Sequence, residues 1–444
     1  MLKIKIRKRT VFIFLTLIGL FAYFNSFGVP FHYDDISFLR EKTIIKSSAL
    51  FSQWIKEDYS RIISGRAFLL FTFYLNYLIN GLDTFGYHIV NFFMHVSTAF
   101  LFYLLIAKYV DRDVIARSGS DEAISFKDEI ATPLARNDNS GVAILAATLF
   151  LLHPINTESV TYISSRSSVL SAFFILASIL AFFRATTLSE KSHYPQHTKG
   201  GITKWSRLGF YILSIISFLL GLSTKEAAIV TPALILLFDL YFVSDKDKNF
   251  SSRIKYHFPF WLIIIASFFY YWGYIARPAM YDRPWTVHIL TELKVFVEYL
   301  KLLILPLNLN IDHYIKASMT LDPSVIVSMV VISGLLLSAI FLKNRNKVLS
   351  FSILWFFLNL APFLLIRLED YVAERWVYAA SLGFSFGISE LLTALYLRHK
   401  RIGMSAIAFV LIFLGVLTYM RNNAYGSPVT LWADAARKSP EKAR

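Results

Sequence analysis

The chain has 444 residues, 56% of them hydrophobic and 16% aromatic, with a formal net charge of +15. Those proportions exclude an ordinary soluble domain, and the basic residues stand in short clusters between apolar runs, which argues for a lipid bilayer and against nucleic acid as a partner. No cysteine is present, so disulfides, thiolate catalysis and Cys-ligated zinc are excluded.

Residues 3 to 9 carry five basic side chains ahead of an apolar run that reaches Gly28 without a small-x-small cleavage signal. The pattern predicts an uncleaved anchor whose start is cytoplasmic. A bilayer core takes about 20 apolar residues per helix, so the chain reads as an all-α polytopic membrane protein with about 11 spans. These are expected near 11–29, 86–108, 141–153, 159–183, 208–222, 227–243, 257–275, 324–342, 348–366, 372–397 and 402–420. The basic stretches 184–207, 343–347 and 398–401 then share the cytoplasmic side, and an odd count puts the C-terminus outside. The loop 109–140 is slightly acidic and gives this orientation no support.

Between Pro30 and Gly86 lie two amphipathic stretches, 44–55 and 66–78, whose apolar faces are expected on the membrane surface or packed on each other. The run "VHILTELKVFVEYLKLLILPLNL" is read as an outer-face helix or a re-entrant segment. The final "LWADAARKSPEKAR" begins like the first helix of a tetratricopeptide repeat. The expected division is a membrane domain at 1–427 followed by the start of a repeat region at 428–444.

Unusual polar residues gather at the predicted outer face. Asp34 and Asp35 follow the first span; His88, Asn91 and His95 open the second; "HPINTES" holds His153 and Glu158; "STKEA" holds Lys225 and Glu226; and "RLEDYVAERW" holds Glu374 and Arg375. An ionised side chain in hydrocarbon costs roughly 2.5 kcal/mol or more, so several at one level imply a polar cavity or mutual pairing. Taken alone, Lys225–Glu226 or Glu374–Arg375 reads equally as an interfacial ion pair. His88 and His95, seven apart on one helix face, read equally as helix-to-helix hydrogen bonds. Asp34, Asp35, His88 and His153 are metal-ligand types, yet no HExxH or comparable spacing occurs, so no metal site and no cofactor are assigned and a divalent ion is the lesser expectation.

Chemically, a carboxylate can deprotonate a hydroxyl while Arg66, Arg166, Lys225 or Arg375 neutralises a leaving phosphate, which suits sugar transfer from a lipid phosphate. No GxxxxGK[ST] nucleotide cradle is present, consistent with a donor that arrives within the bilayer.

The ordered set "FHYDD", "HPINTESVTYISSRSSVL", "LLGLSTKEAAIVTPALILLFDLY", "PLNLNID" and "AERWVYAASLGF" resembles the transmembrane and tetratricopeptide repeat-containing (TMTC) O-mannosyltransferases, within the GT-C class, from Phe31 to Arg444. It departs from the family pattern at Ser-Arg-Ser, often Gly-Arg-Ala, and at "ERWVYAAS", more usually "ERVLYLPS". The resemblance implies a GT-C-like bundle with an outer-face loop after the first span, and inverting transfer of mannose from polyprenyl phosphate to Ser or Thr of a translocated acceptor protein. It implies Asp34 as base, Asp35 as its partner or the reverse, and Arg166, Lys225 and Arg375 on the donor phosphate. Arg66, His88, His95, His153, Glu158, Glu226 and Glu374 would shape the pocket. The expected setting is a bacterial inner membrane with a periplasmic site, or else an organelle lumen. Competing readings are a GT-C transferase acting on a glycan or lipid A, and a lipid-linked sugar transporter, which would need charges at mid-membrane depth in broken helices.

Overall fold

A computed structural model describes residues 7–41, 43–57, 66–110, 140–187, 204–243, 250–275 and 283–442. The loop at 109–140 and the basic stretch at 184–207 therefore fall largely outside the described residues. The described residues are helical, with no strand among them. Apolar runs become helices because hydrocarbon offers the backbone no outside partner, so each N–H and C=O must pair within its own segment.

In chain order the α-helices are α1 (Lys8–Tyr23), α2 (Ser48–Glu57), α3 (Ala67–Asn80), α4 (Thr84–Tyr109), α5 (Ser140–Leu152), α6 (Thr157–Thr161), α7 (Arg166–Thr187), α8 (Lys204–Leu222), α9 (Thr231–Phe238) and α10 (Phe250–Ile275). They continue with α11 (Trp285–Ile304), α12 (Pro323–Leu342), α13 (Lys347–Leu360), α14 (Tyr378–Arg398), α15 (Lys400–Ala424) and α16 (Pro428–Lys438). Among the described residues, nine helical segments are long and apolar enough to cross a membrane, or ten if the bent pair Ser140–Leu152 and Pro154–Thr161 is one span. That pair bends by 53° at His153, whose ring nitrogen accepts the Ile155 N–H at 3.2 Å just where Pro154 can offer no donor. The span expected at 257–275 lies inside α10, which carries Pro259 in its interior and is not among the nine.

The core is aromatic and aliphatic, built from α1, α4, α5, α7, α9, α13 and α14. Gly383 lets α14 approach α13: a Cβ there would stand 2.6 Å from the Trp355 ring.

Two helices sit across one end of this bundle. α3 packs Leu69, Leu70 and Phe73 against Tyr87, Ile163 and Leu170, so its apolar face meets the bundle as well as any lipid. α11 runs along the same end for its whole length. His288 donates to the Phe363 carbonyl at 3.0 Å, Thr291 accepts from Ser318 N–H at 3.0 Å, and the Tyr299 hydroxyl donates to the Ala373 carbonyl at 2.9 Å. Finally, the Leu303 carbonyl accepts from His153 at 2.9 Å.

The connections after α1, from α5 to α7, from α8 to α9, from α11 to α12, from α13 to α14 and after α15 all meet here. Contacts joining them include Asn25 to Asn423, Phe68 to Ser223 and Asn310 to Glu374. The junctions α12–α13 and α14–α15, with their clusters of basic residues, lie at the opposite end.

Candidate functional site

The FHYDD turn is built around Asp35. Tyr33 holds φ at +40°, a left-handed conformation uncommon for a bulky residue, and the chain then turns the two acids in different directions. Asp35 is fully buried. Its Oδ2 accepts the His32 N–H at 3.0 Å, and its Oδ1 accepts both the N–H of Ser164 at 2.6 Å and its hydroxyl at 2.5 Å. Asp35 thereby fastens the loop after α1 to the turn that leads into α7. Burial pushes its carboxyl up to about 7, with the neighbouring Asp34 charge adding to the rise and the Ser164 and His32 hydrogen bonds opposing it.

Asp34 is only partly buried. Its N–H donates to the Tyr162 hydroxyl at 2.9 Å. The Arg375 guanidinium lies 5.9 Å from the centre of that same Tyr162 ring. Arg375 in turn pairs with Glu158, its guanidinium on Oε1 and its backbone N–H on Oε2 at 3.0 Å. Burial works against the Arg375 charge, but Glu158 and Tyr162 outweigh it and raise the guanidinium above its usual value.

Lys225 stands beyond Arg375, donating to the Ser168 hydroxyl at 2.7 Å. Burial lowers its ammonium to about 7, and the positive charges of Arg66 and Arg375 push the same way against Glu226 and Glu158. Lys225, Arg375, Ser168, Ser171 and Asn359 line a cavity of about 20 Å³. That volume suits about one water, so a phosphate enters only if the wall gives way. Arg66, with φ at +56°, grips Glu226 through Nε at 3.1 Å and Nη2 at 3.0 Å and flanks the cluster on the α3 side.

The remaining residues singled out by sequence hold helices together. Arg166 is buried, donating to Asn91 Oδ1 at 2.6 Å and the Tyr87 carbonyl at 3.2 Å, with Phe73 4.4 Å away across its plane. His88 donates to the Val29 carbonyl at 2.8 Å, and His95 lies between the Tyr378 hydroxyl at 2.6 Å and the Leu151 carbonyl at 3.1 Å. Glu374 meets His313 at 2.9 Å and Arg421 at 3.7 Å. Among the described residues no group of three His, Cys, Asp or Glu side chains is arranged to hold a metal ion.

Tyr162, Ser164, Ser168 and Arg421 escaped the sequence reading. The first three lie within the quoted stretch "HPINTESVTYISSRSSVL" but are ordinary residue types for a turn. Arg421 did carry a signal, since an arginine in the last turn of a long apolar helix calls for a partner. It has two, Glu374 and, at 2.9 Å, Asp434 of α16.

Compared with known proteins, the chain is 22% identical over 99% of its length to a protein O-mannosyl-transferase of Caenorhabditis elegans, covering 59% of that protein. The chain is TMTC-like. Half of it is 26% identical to the protein O-mannosyl-transferase Tmtc3 of Drosophila melanogaster, covering 23% of that protein. A similar 43% is 28% identical to the protein O-mannosyl-transferase TMTC1 of Homo sapiens, covering 18% of it. The chain thus spans about three fifths of the nematode relative and about a fifth of the other two. No family model matches this TMTC-like chain, and no solved structure matches it.

Proposed function

We propose that this chain is an inverting membrane glycosyltransferase that moves a sugar, mannose, from a polyprenyl phosphate to Ser or Thr hydroxyls of a protein on the non-cytoplasmic side of the membrane. In the proposed step Asp34 takes the hydroxyl proton, the hydroxyl oxygen bonds to the anomeric carbon, and the carbon–oxygen bond to phosphate breaks. The bond's electron pair leaves with the phosphate, whose charge Arg375 and Lys225 stabilise. A single displacement inverts the anomeric carbon and needs neither a covalent intermediate nor a cofactor.

One juxtaposition carries this reading: a partly exposed acid, Asp34, whose N–H donates to the Tyr162 hydroxyl, and a phosphate-type cation, Arg375, whose guanidinium lies 5.9 Å from the same ring, meet at one end of an apolar bundle. The names of the relatives supply the protein acceptor and the mannose. Asp35, held in place by Ser164 and His32, acts as the positioning residue that fixes the Asp34 backbone.

The test replaces Asp34 and Asp35 separately with Asn in membranes given polyprenyl-phosphate mannose and a Ser/Thr acceptor, with hexose on the acceptor read by mass spectrometry. Full transfer by both variants sinks the assignment.

A further inference from the structure

Where would a polypeptide reach Asp34? A cleft of about 460 Å³ opens on the far side of the FHYDD turn, between Tyr33 and α16. Its rim is aromatic: the Tyr33 and Trp432 rings meet edge to face at 6.1 Å and are 48% and 36% exposed. Its floor is polar, with Asp312, Ser439 and Lys442. We propose that this cleft is the acceptor subsite and takes an extended Ser/Thr-bearing polypeptide; the proposal rests on the transferase reading above.

Four observations support that occupant. The cleft starts at Tyr33, the residue before the proposed base, whereas the cations proposed for the donor phosphate line a different cavity that does not include Tyr33. Donor and acceptor would therefore occupy separate cavities. Its volume falls within the roughly 300–1,000 Å³ of ordinary ligand sites.

The cleft is also preformed. α16 is clamped by Arg421 on Asp434 at 2.9 Å and by Lys438 on the Leu309 carbonyl at 2.7 Å, and its N-terminus is closed by a Ser427–Thr430 capping box. Finally, the floor sets Lys442 against two carboxylates, Asp312 and Asp370, a balance unfavourable to a phosphorylated glycolipid acceptor. A polypeptide's backbone can pair with the polar floor while flat aromatic rings cover it.

The experiment places a photo-crosslinking amino acid at the exposed Ala436 of the cleft wall in the full chain and uses a short Ser/Thr-bearing peptide as probe. The peptide should crosslink, and the Asp34→Asn background should crosslink equally. Trp432→Ala should weaken capture about tenfold or more, as loss of an aromatic anchor does, and Trp432→Phe should restore it. In turnover, Trp432→Ala should raise the peptide KM by the same factor. No crosslink, capture indifferent to Trp432→Ala, or equal competition by a free oligosaccharide overturns the acceptor cleft. Crosslinking by a chain that never transfers sugar leaves the cleft standing and sinks the transferase reading; transfer without crosslinking does the reverse.

Discussion

At the far end of the bundle Asp239 accepts from Arg253 Nε at 3.2 Å and from His257 at 3.0 Å, and all three are almost wholly buried beside Phe182. At the site end Asp35, Glu158, Lys225, Glu374 and Arg421 are also buried and Arg375 is partly so, but they are divided among several connections, and Lys225 and Arg375 line a cavity. Both regions answer the same problem, the cost of charge away from water. The far cluster joins the segment at Asp239 to α10 and so acts as a tie. The near cluster ties several connections together, and two of its members, Lys225 and Arg375, border a small cavity. Buried charge alone therefore does not mark a site; what separates the two regions is the cavity beside Lys225 and Arg375.

Breaking that contrast should show first in activity. Asp34→Asn should reduce transfer about 10²–10⁴-fold, the usual loss for a general base, without moving the melting temperature in detergent. A variant that loses activity and stability together would make Asp34 a structural residue like Asp239.

Stability should respond at the other end. Asp239→Ala removes the acceptor that Arg253 and His257 share and should cost about 3–5 kcal/mol, the usual penalty for removing one partner of a buried ionic group. Thermal unfolding of the purified chain reads this directly, and an unchanged midpoint would show that the far cluster is not a tie.

pH sharpens the comparison at Lys225. With its ammonium lowered to about 7 by burial and by Arg66 and Arg375, against Glu226 and Glu158, it is charged below that pH and neutral above it. Donor kcat/KM should therefore fall as pH rises through about 7, about tenfold per pH unit well above it if only the charged form binds. Lys225→Arg, charged throughout, should remove that limb. Asp35, also near 7, titrates in the same range, so the limb must be shown to survive in Asp35→Asn before it is given to Lys225.

The smallest effect is expected where charge is neither closed in nor gathered. Lys301 and Glu298 pair at 3.0 Å on α11, with the lysine side chain 68% exposed. Lys301→Ala should change stability by no more than about 0.5 kcal/mol and leave transfer unaffected.

Much of the fold was legible because the bilayer imposes a length on every span. Ten of the eleven predicted spans fall on candidate spanning helices, counting the bent pair, and the eleventh lies within α10. The path of α11 was half legible: counting it as a span would have put the basic loops on different sides, but only the structure shows its contacts with Phe363, Ser318, Ala373 and Leu303. α3 was read as lipid-facing or helix-facing, and its burial against Tyr87 and Leu170 shows the latter contact.

Among the polar residues, residue type announced that Arg166, Arg375 and Lys225 were unusual, but not how they differ. Arg166 spends its donors on Asn91, Thr72 and Tyr87, whereas Arg375 and Lys225 border a cavity. That distinction depends on neighbours dozens to hundreds of residues away in sequence, which no local pattern encodes.

By itself the sequence determined that this chain lives in a membrane, how many times it nears the length needed to cross, and that ionisable residues cluster in the connections between spans. Those follow from transfer free energies and helix rise, which are properties of short segments. Only the tertiary structure decided that Asp35 is locked on Ser164 while Asp34 is partly exposed, that Asp34 and Arg375 both contact Tyr162, and that Trp432 lines a cleft with Tyr33. Each is a contact between distant segments, set by how helices pack, and packing is a property of the whole bundle.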